Sequence, residues 1–111
     1  MRTAYDISLD DAAVSGYFAA LINRIFKILP IREREEDTLT TYLDSLMLEL
    51  MGCESLLPDL SSDGEFVSVL STVRYLRDNP SLPVSTVKRE VFRTISSCKK
   101  MEVRYGEEGP T

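Results

Sequence analysis

Apolar residues return along this chain with the period of an α-helix in four successive stretches. In the first, Val14, Phe18, Leu21, Ile22, Ile25, Ile28 and Leu29 share one broad face, while Asn23, Arg24 and Lys27 lie away from it. Ser8, with Asp11 three positions on, predicts the capped start of this helix. Pro30 predicts its stop, because proline lacks the N–H that the ladder needs. The second stretch sets Leu39, Leu43, Leu46 and Leu50 in a stripe behind the acidic run Glu33, Glu35, Glu36 and Asp37, which suits the positive end of a helix dipole. Gly52 predicts where it ends.

Loop chemistry over Leu57 to Gly64 follows, and Ser62 with Glu65 predicts the start of a third helix that turns Phe66, Val69, Leu70, Val73 and Leu76 inward. The two prolines of Asn79-Pro80-Ser81-Leu82-Pro83 close it. Ser85 predicts the cap of a fourth helix, with Val87, Val91, Ile95, Cys98 and Met101 at helical spacing through to Tyr105. No run of useful length alternates with strand period. The expected architecture is therefore all-α: a single-domain bundle of about four helices over residues 1–105, neighbours antiparallel because the connections are short, with residues 106–111 as a flexible tail.

Some apolar residues fall off these stripes. Leu48 points opposite the leucine stripe of the second helix, between Asp44 and Thr41, and Met47 and Met51 widen the apolar arc. A helix that is apolar on most sides is either central in a core or covered by a partner, so Leu48, Met47 and Met51 are candidate apolar interface residues. On the fourth helix, Phe92 and Val103 sit between the core arc and a group of basic residues.

Length and composition narrow the class. A chain of 111 residues supports one core and is too short for two. No uninterrupted apolar run approaches the roughly 20 residues that span a bilayer, and the first residues do not read as a secretory signal. No membrane is expected, and a cytoplasmic location is. Cys53 and Cys98 stand 45 positions apart without a Cys/His cluster, which predicts two separate reduced thiols.

The chain has no histidine. That removes the commonest general base, the dyads that activate serine or cysteine, and the favoured ligand of zinc and copper. Phosphate-binding glycine loops and nucleophile motifs are also missing, and Glu49 and Glu54 have no opposing carboxylate pair that sequence can place. No enzyme is expected, and no cofactor, metal or small molecule is called for. Asp59, Ser61, Asp63, Gly64 and Phe66 resemble the first half of an EF-hand calcium loop. The twelfth position holds Leu70 instead of the bidentate glutamate, so an ordinary capped loop is the expectation.

Charge then redraws the fourth helix. Residues 1–73 carry 13 acidic against 5 basic side chains, whereas residues 74–104 carry 8 basic against 3 acidic. At 100° per residue Arg89, Arg93, Lys100 and Arg104 cluster on one side of the helix, with Ser96 between them and Lys88 and Lys99 on the flank. These four, with Phe92, are candidate residues for binding a partner or a nucleic acid. Val84, Ser85, Thr86, Val87 and Arg89 resemble the opening of a helix-turn-helix recognition helix, and the resemblance implies DNA binding, its first turn in the major groove. The turn before it is longer than the 3–4 residues usual in that motif and holds two prolines, and the net charge of −5 opposes DNA.

A second resemblance covers about two thirds of the chain. Ile25-Phe26-Lys27-Ile28-Leu29-Pro30, Tyr42-Leu43-Asp44-Ser45-Leu46 and Lys88-Arg89-Glu90-Val91-Phe92 resemble segments of short uncharacterised proteins encoded in prophages and other mobile elements of Gram-positive bacteria. It implies a bacterial context and brings no catalytic residues. The expected function is that of a small non-enzymatic helical protein acting by protein–protein interaction or self-association. DNA binding through the fourth helix is the alternative.

Overall fold

The structure, a computed structural model, describes residues 1–34 and 38–107. Among the described residues five α-helices follow one another: α1 Asp11–Phe26, α2 Ile28–Glu33, α3 Thr38–Leu56, α4 Gly64–Asp78 and α5 Val84–Glu107, with a 3-10 turn, Pro58–Ser62, between α3 and α4. Among the described residues there is no strand, only an isolated bridge between Arg2 and Ser8 in the lead. Of the acidic run before α3, Glu33 closes α2, while Glu35, Glu36 and Asp37 lie outside the described residues, as do residues 108–111 of the expected tail.

The helix ends depart from expectation for identifiable reasons. α1 is capped by Asp10, whose carboxylate accepts from the Ala12 N–H at 3.0 Å, and not by Ser8, which is drawn into the bridge with Arg2. Pro30 does not stop the first helix. The break comes at Lys27, and Pro30 sits in the first turn of α2, where its missing N–H costs little. Joined across Lys27, Asp11–Glu33 is long and apolar enough by length and composition to span a membrane, a property that no uninterrupted apolar run announces. In the fold, Val14, Phe18, Leu21, Ile25 and Ile28 of this stretch lie in the core.

α3 runs past Gly52 to Leu56, since a side chain at position 52 would meet nothing and the backbone there is plain helix. α4 is capped by Asp63 rather than Ser62. The expected fourth helix, α5, starts at Val84, one residue ahead of Ser85, because the Pro83 carbonyl accepts from the Thr86 and Val87 N–H groups at 3.0 and 3.1 Å. It continues through Gly106 into Glu107. Gly106 suits that turn, as a Cβ there would press on the Ser15 hydroxyl at 3.1 Å.

The helices alternate in direction. α5 packs against α1 on one side and α4 on the other, α4 packs against α3, and α2 reaches both α3 and α5. Arg104 meets Asp63 while Arg93 meets Thr72, which makes α4 and α5 antiparallel. Ser15 donates to the Glu102 carbonyl at 2.8 Å while Phe26 meets Phe92, which does the same for α1 and α5. The result is an up-down bundle with three helix–helix seams made by close backbone approach.

The fourth seam is open. No Cα atom of α1 lies within 8 Å of one in α3. Side chains bridge the gap instead: Tyr17 donates to Glu49 at 2.9 Å, Arg24 pairs with Glu49, and Tyr42 donates to the Arg24 carbonyl at 2.6 Å.

The core is filled largely by the expected stripes, with Phe18 at its centre, stacked on Tyr105 at 5.6 Å and edge-on to Phe66 at 6.5 Å. Leu57 and Leu60 join it, because the 3-10 turn rolls both leucines under the bundle where loop composition alone gave no inward direction. Cys53 and Cys98 are separate thiols, the first half-buried and the second buried.

Candidate interaction face of the last helix

α5 has no proline within it and no glycine before Gly106, and its apolar residues recur at helical period, so it forms one long rod with three faces. Val87, Val91, Ile95, Cys98 and Met101 turn into the core. Glu90, Thr94 and Ser97 are buried beside them, with Thr94 donating to the Glu90 carbonyl at 2.8 Å. The outward arc carries the basic residues and Phe92.

The basic stripe is not one uniform surface. Arg104 Nη2 lies 2.5 Å from the Asp63 carboxylate, which is 5% exposed. Arg93 Nη2 lies 2.6 Å from Glu90 Oε2 and reaches the Thr72 hydroxyl of α4 at 3.5 Å. Arg104 is thereby tied to the start of α4, whereas Arg93, paired within its own helix, stays 63% exposed. Arg89, at 3.7 Å from Glu90, and Lys100, at 4.0 Å from Glu65, are held loosely and remain exposed. Lys88 and Lys99 make no ion pair among the described residues. Of the residues resembling a recognition-helix start, Val87 is in the core and Thr86 is half-buried, leaving Val84, Ser85 and Arg89 outward.

Asp63 is the strongest polar junction. Its Oδ1 accepts from the Glu65 and Phe66 N–H groups at 2.9 and 3.2 Å, and its Oδ2 receives Arg104 and the Tyr105 hydroxyl. Burial alone would raise this carboxyl. The hydrogen bonds from Tyr105, Phe66 and Glu65 and the Arg104 charge outweigh it and hold the pKa below its ordinary value. Tyr105 is pushed the other way, by burial and by the carboxylate beside its hydroxyl. This geometry is that of a helix cap doubled as a clasp. The calcium-loop reading of Asp59, Ser61 and Asp63 has no geometric support, because Ser61 turns its hydroxyl onto the Pro58 carbonyl and both Asp63 oxygens are engaged. Among the described residues no three His, Cys, Asp or Glu side chains converge on a metal-sized site. Burial also raises both thiols, Cys98 up to about 12, so neither is a ready nucleophile.

Phe92 is 45% exposed and packs edge-on against Phe26, 41% exposed, with ring centroids 5.7 Å apart at 83°. Phe26 belongs to no predicted stripe. A second aromatic residue off the core arc of another helix was the available signal, but only the antiparallel register of α1 and α5 joins the two. Val103 is exposed on the same side of α5. On α3, Leu48 is 70% exposed and Met51 is exposed as well, whereas Met47 is buried in the core. Met47 therefore offers nothing to a partner: its side of α3 faces the bundle interior. Exposed apolar side chains thus stand beside the basic residues on α1/α5 and, separately, on α3.

Compared with family models, curated proteins and solved structures, the chain matches none.

Proposed function

We propose that the protein acts by docking on another protein through the outer face where α5 meets α1, against an acidic surface of the partner. The observation that carries this reading is the Phe26/Phe92 pair: two aromatic residues, each more than two-fifths exposed while packed on the other. Aromatic side chains rimmed by cations are the composition of an interface centre, where a few large rings supply most of the affinity. Lys88 and Lys99 lie within about 40° of Phe92 around the helix axis and have no ion pair among the described residues. They supply the positive rim.

One acidic partner is already at hand, since residues 1–73 of a second copy carry the acidic excess. On α3, exposed Leu48 and Met51 stand near the exposed Asp44, which complements Phe92, Val103 and the lysines. A two-fold pairing of α5 with α5 would set lysines and arginines against one another, so the arrangement favoured is head-to-tail. Duplex binding draws less support, because Arg93 and Arg104 are engaged with Glu90 and Asp63.

Sedimentation equilibrium at high micromolar concentration tests the self-association form. The expected result is a mass above that of the monomer at low salt, falling as salt is raised, and lost in Phe92→Ser. A wild-type chain that stays strictly monomeric at low salt would sink it.

A further inference from the structure

The open α1–α3 seam leaves a half-open pocket of about 330 Å³, separate from the face just described. That volume lies at the small end of ligand pockets, roughly 300–1,000 Å³, and the space between bundle helices is a usual place for them. Leu9, Ala13 and Phe18 wall it on one side and Leu56 and Leu57 on the other, so its interior is apolar. One edge holds polar groups, the Glu49 carboxylate and the Tyr17 hydroxyl, already joined to each other and to Arg24. The seam does not collapse because the Tyr17, Arg24 and Tyr42 bridges hold α1 and α3 at side-chain distance. The lead ties down the far end, with the Ala4 N–H on the Leu56 carbonyl at 2.7 Å.

We infer that this pocket is a binding site for a small, neutral, largely apolar aromatic molecule of about the size of indole. The aromatic preference follows from the half-buried Tyr17 ring in the wall, which packs edge-on with the buried Phe18 at 5.4 Å and 74° and can take a further ring on its open side. Tyr17 and Arg24 engage the Glu49 carboxylate at the edge, which leaves the interior of the pocket apolar. An anion is disfavoured, because it would lose its water in an apolar site beside a carboxylate whose arginine is already taken.

The probe is indole, titrated into the chain with leucine, isoleucine and methionine methyl groups followed by two-dimensional NMR. Saturable shifts are expected at Leu9, Leu56 and Leu57, with indole-3-carboxylate weaker by about tenfold or more. Gly52 lines the cavity, and a Cβ added there meets nothing within 4 Å, so Gly52→Leu projects into the space from an unhindered Cβ and replaces a poor helix former. This variant is expected to fold, judged by unchanged Ile95 and Met101 methyl signals, and to lose indole saturation. The inference is overturned if indole gives no saturable shifts at low-millimolar concentration, or if Gly52→Leu binds it as the wild type does. Shifts that follow protein concentration instead of indole would assign the cavity to a side chain of a second copy, and would overturn it equally.

Discussion

The α4–α5 seam and the α1–α3 seam are both antiparallel, and both are crossed by a carboxylate that gathers an arginine and a tyrosine. In the first, Asp63 is nearly buried and its two oxygens collect two backbone N–H groups as well as Arg104 and Tyr105. In the second, Glu49 and Arg24 are about one-third exposed, and the tyrosine hydroxyl approaches from a helix whose backbone never comes close. The difference teaches that the same three side-chain types either tie two helices or hold them apart. Burial and backbone participation decide which. A short aspartate at a helix start draws its partners onto the backbone, whereas a long glutamate in mid-helix meets them out in the gap.

The largest expected effect comes from breaking the tie. Asp63→Ala removes the α4 cap and strands Tyr105 and Arg104, and should destabilise the fold by about 2–4 kcal/mol, read as a lower urea midpoint. Acid should act on the same junction. Because folding lowers the Asp63 pKa, its contribution is present in full above the unfolded value near ~4 and is lost as the pH falls through the lower folded value. Urea midpoints taken between about pH 5 and pH 2 should therefore fall more steeply in the wild type than in Asp63→Asn, which keeps a capping side chain without the titration. Equal slopes would remove Asp63 from the account of acid sensitivity.

Across the open seam the expected cost is smaller. Glu49→Ala should lower stability by about 1 kcal/mol or less, since half-exposed ion pairs contribute little. A loss as large as that of Asp63→Ala would mean that the two seams carry similar weight, and the contrast between them would fail. The smallest effect has the opposite sign. Gly16 is exposed in α1, and a Cβ there meets nothing within 4 Å, so Gly16→Ala should stabilise by roughly 0.5–1 kcal/mol through helix propensity alone. A destabilised Gly16→Ala dimer alongside a stabilised monomer would place this part of α1 inside the self-association contact.

Much of the fold was legible along the chain. The inward faces of α1, α3, α4 and α5 could be read off because a 3.6-residue period needs no knowledge of neighbours. The helix ends were less legible: Asp10 and Asp63 took the caps that Ser8 and Ser62 also offered, since serine and aspartate cap almost equally well and only the path of the preceding chain selects one. The candidate residues divided in the same way. Leu48 was readable as an outward leucine from its phase on the wheel, but Met47, at the edge of the apolar arc, could be placed inside only once α3 had neighbours. The basic stripe was visible as a row, yet nothing local showed that Arg104 is tied to the start of α4 while Lys88 and Lys99 stay free of ion pairs among the described residues.

By itself the sequence determined that this chain makes four long amphipathic helical stretches, that its positive charge gathers on the last, and that it has no histidine to offer catalysis. Those are properties of composition and period, which a chain carries whether or not it is folded. Tertiary structure alone decided which seam closes and which stays open, that Phe26 meets Phe92, and that Asp63 meets Arg104, 41 positions further along the chain. Each depends on helices meeting at one register, and register is set by the packing of the whole core, which no single helix contains.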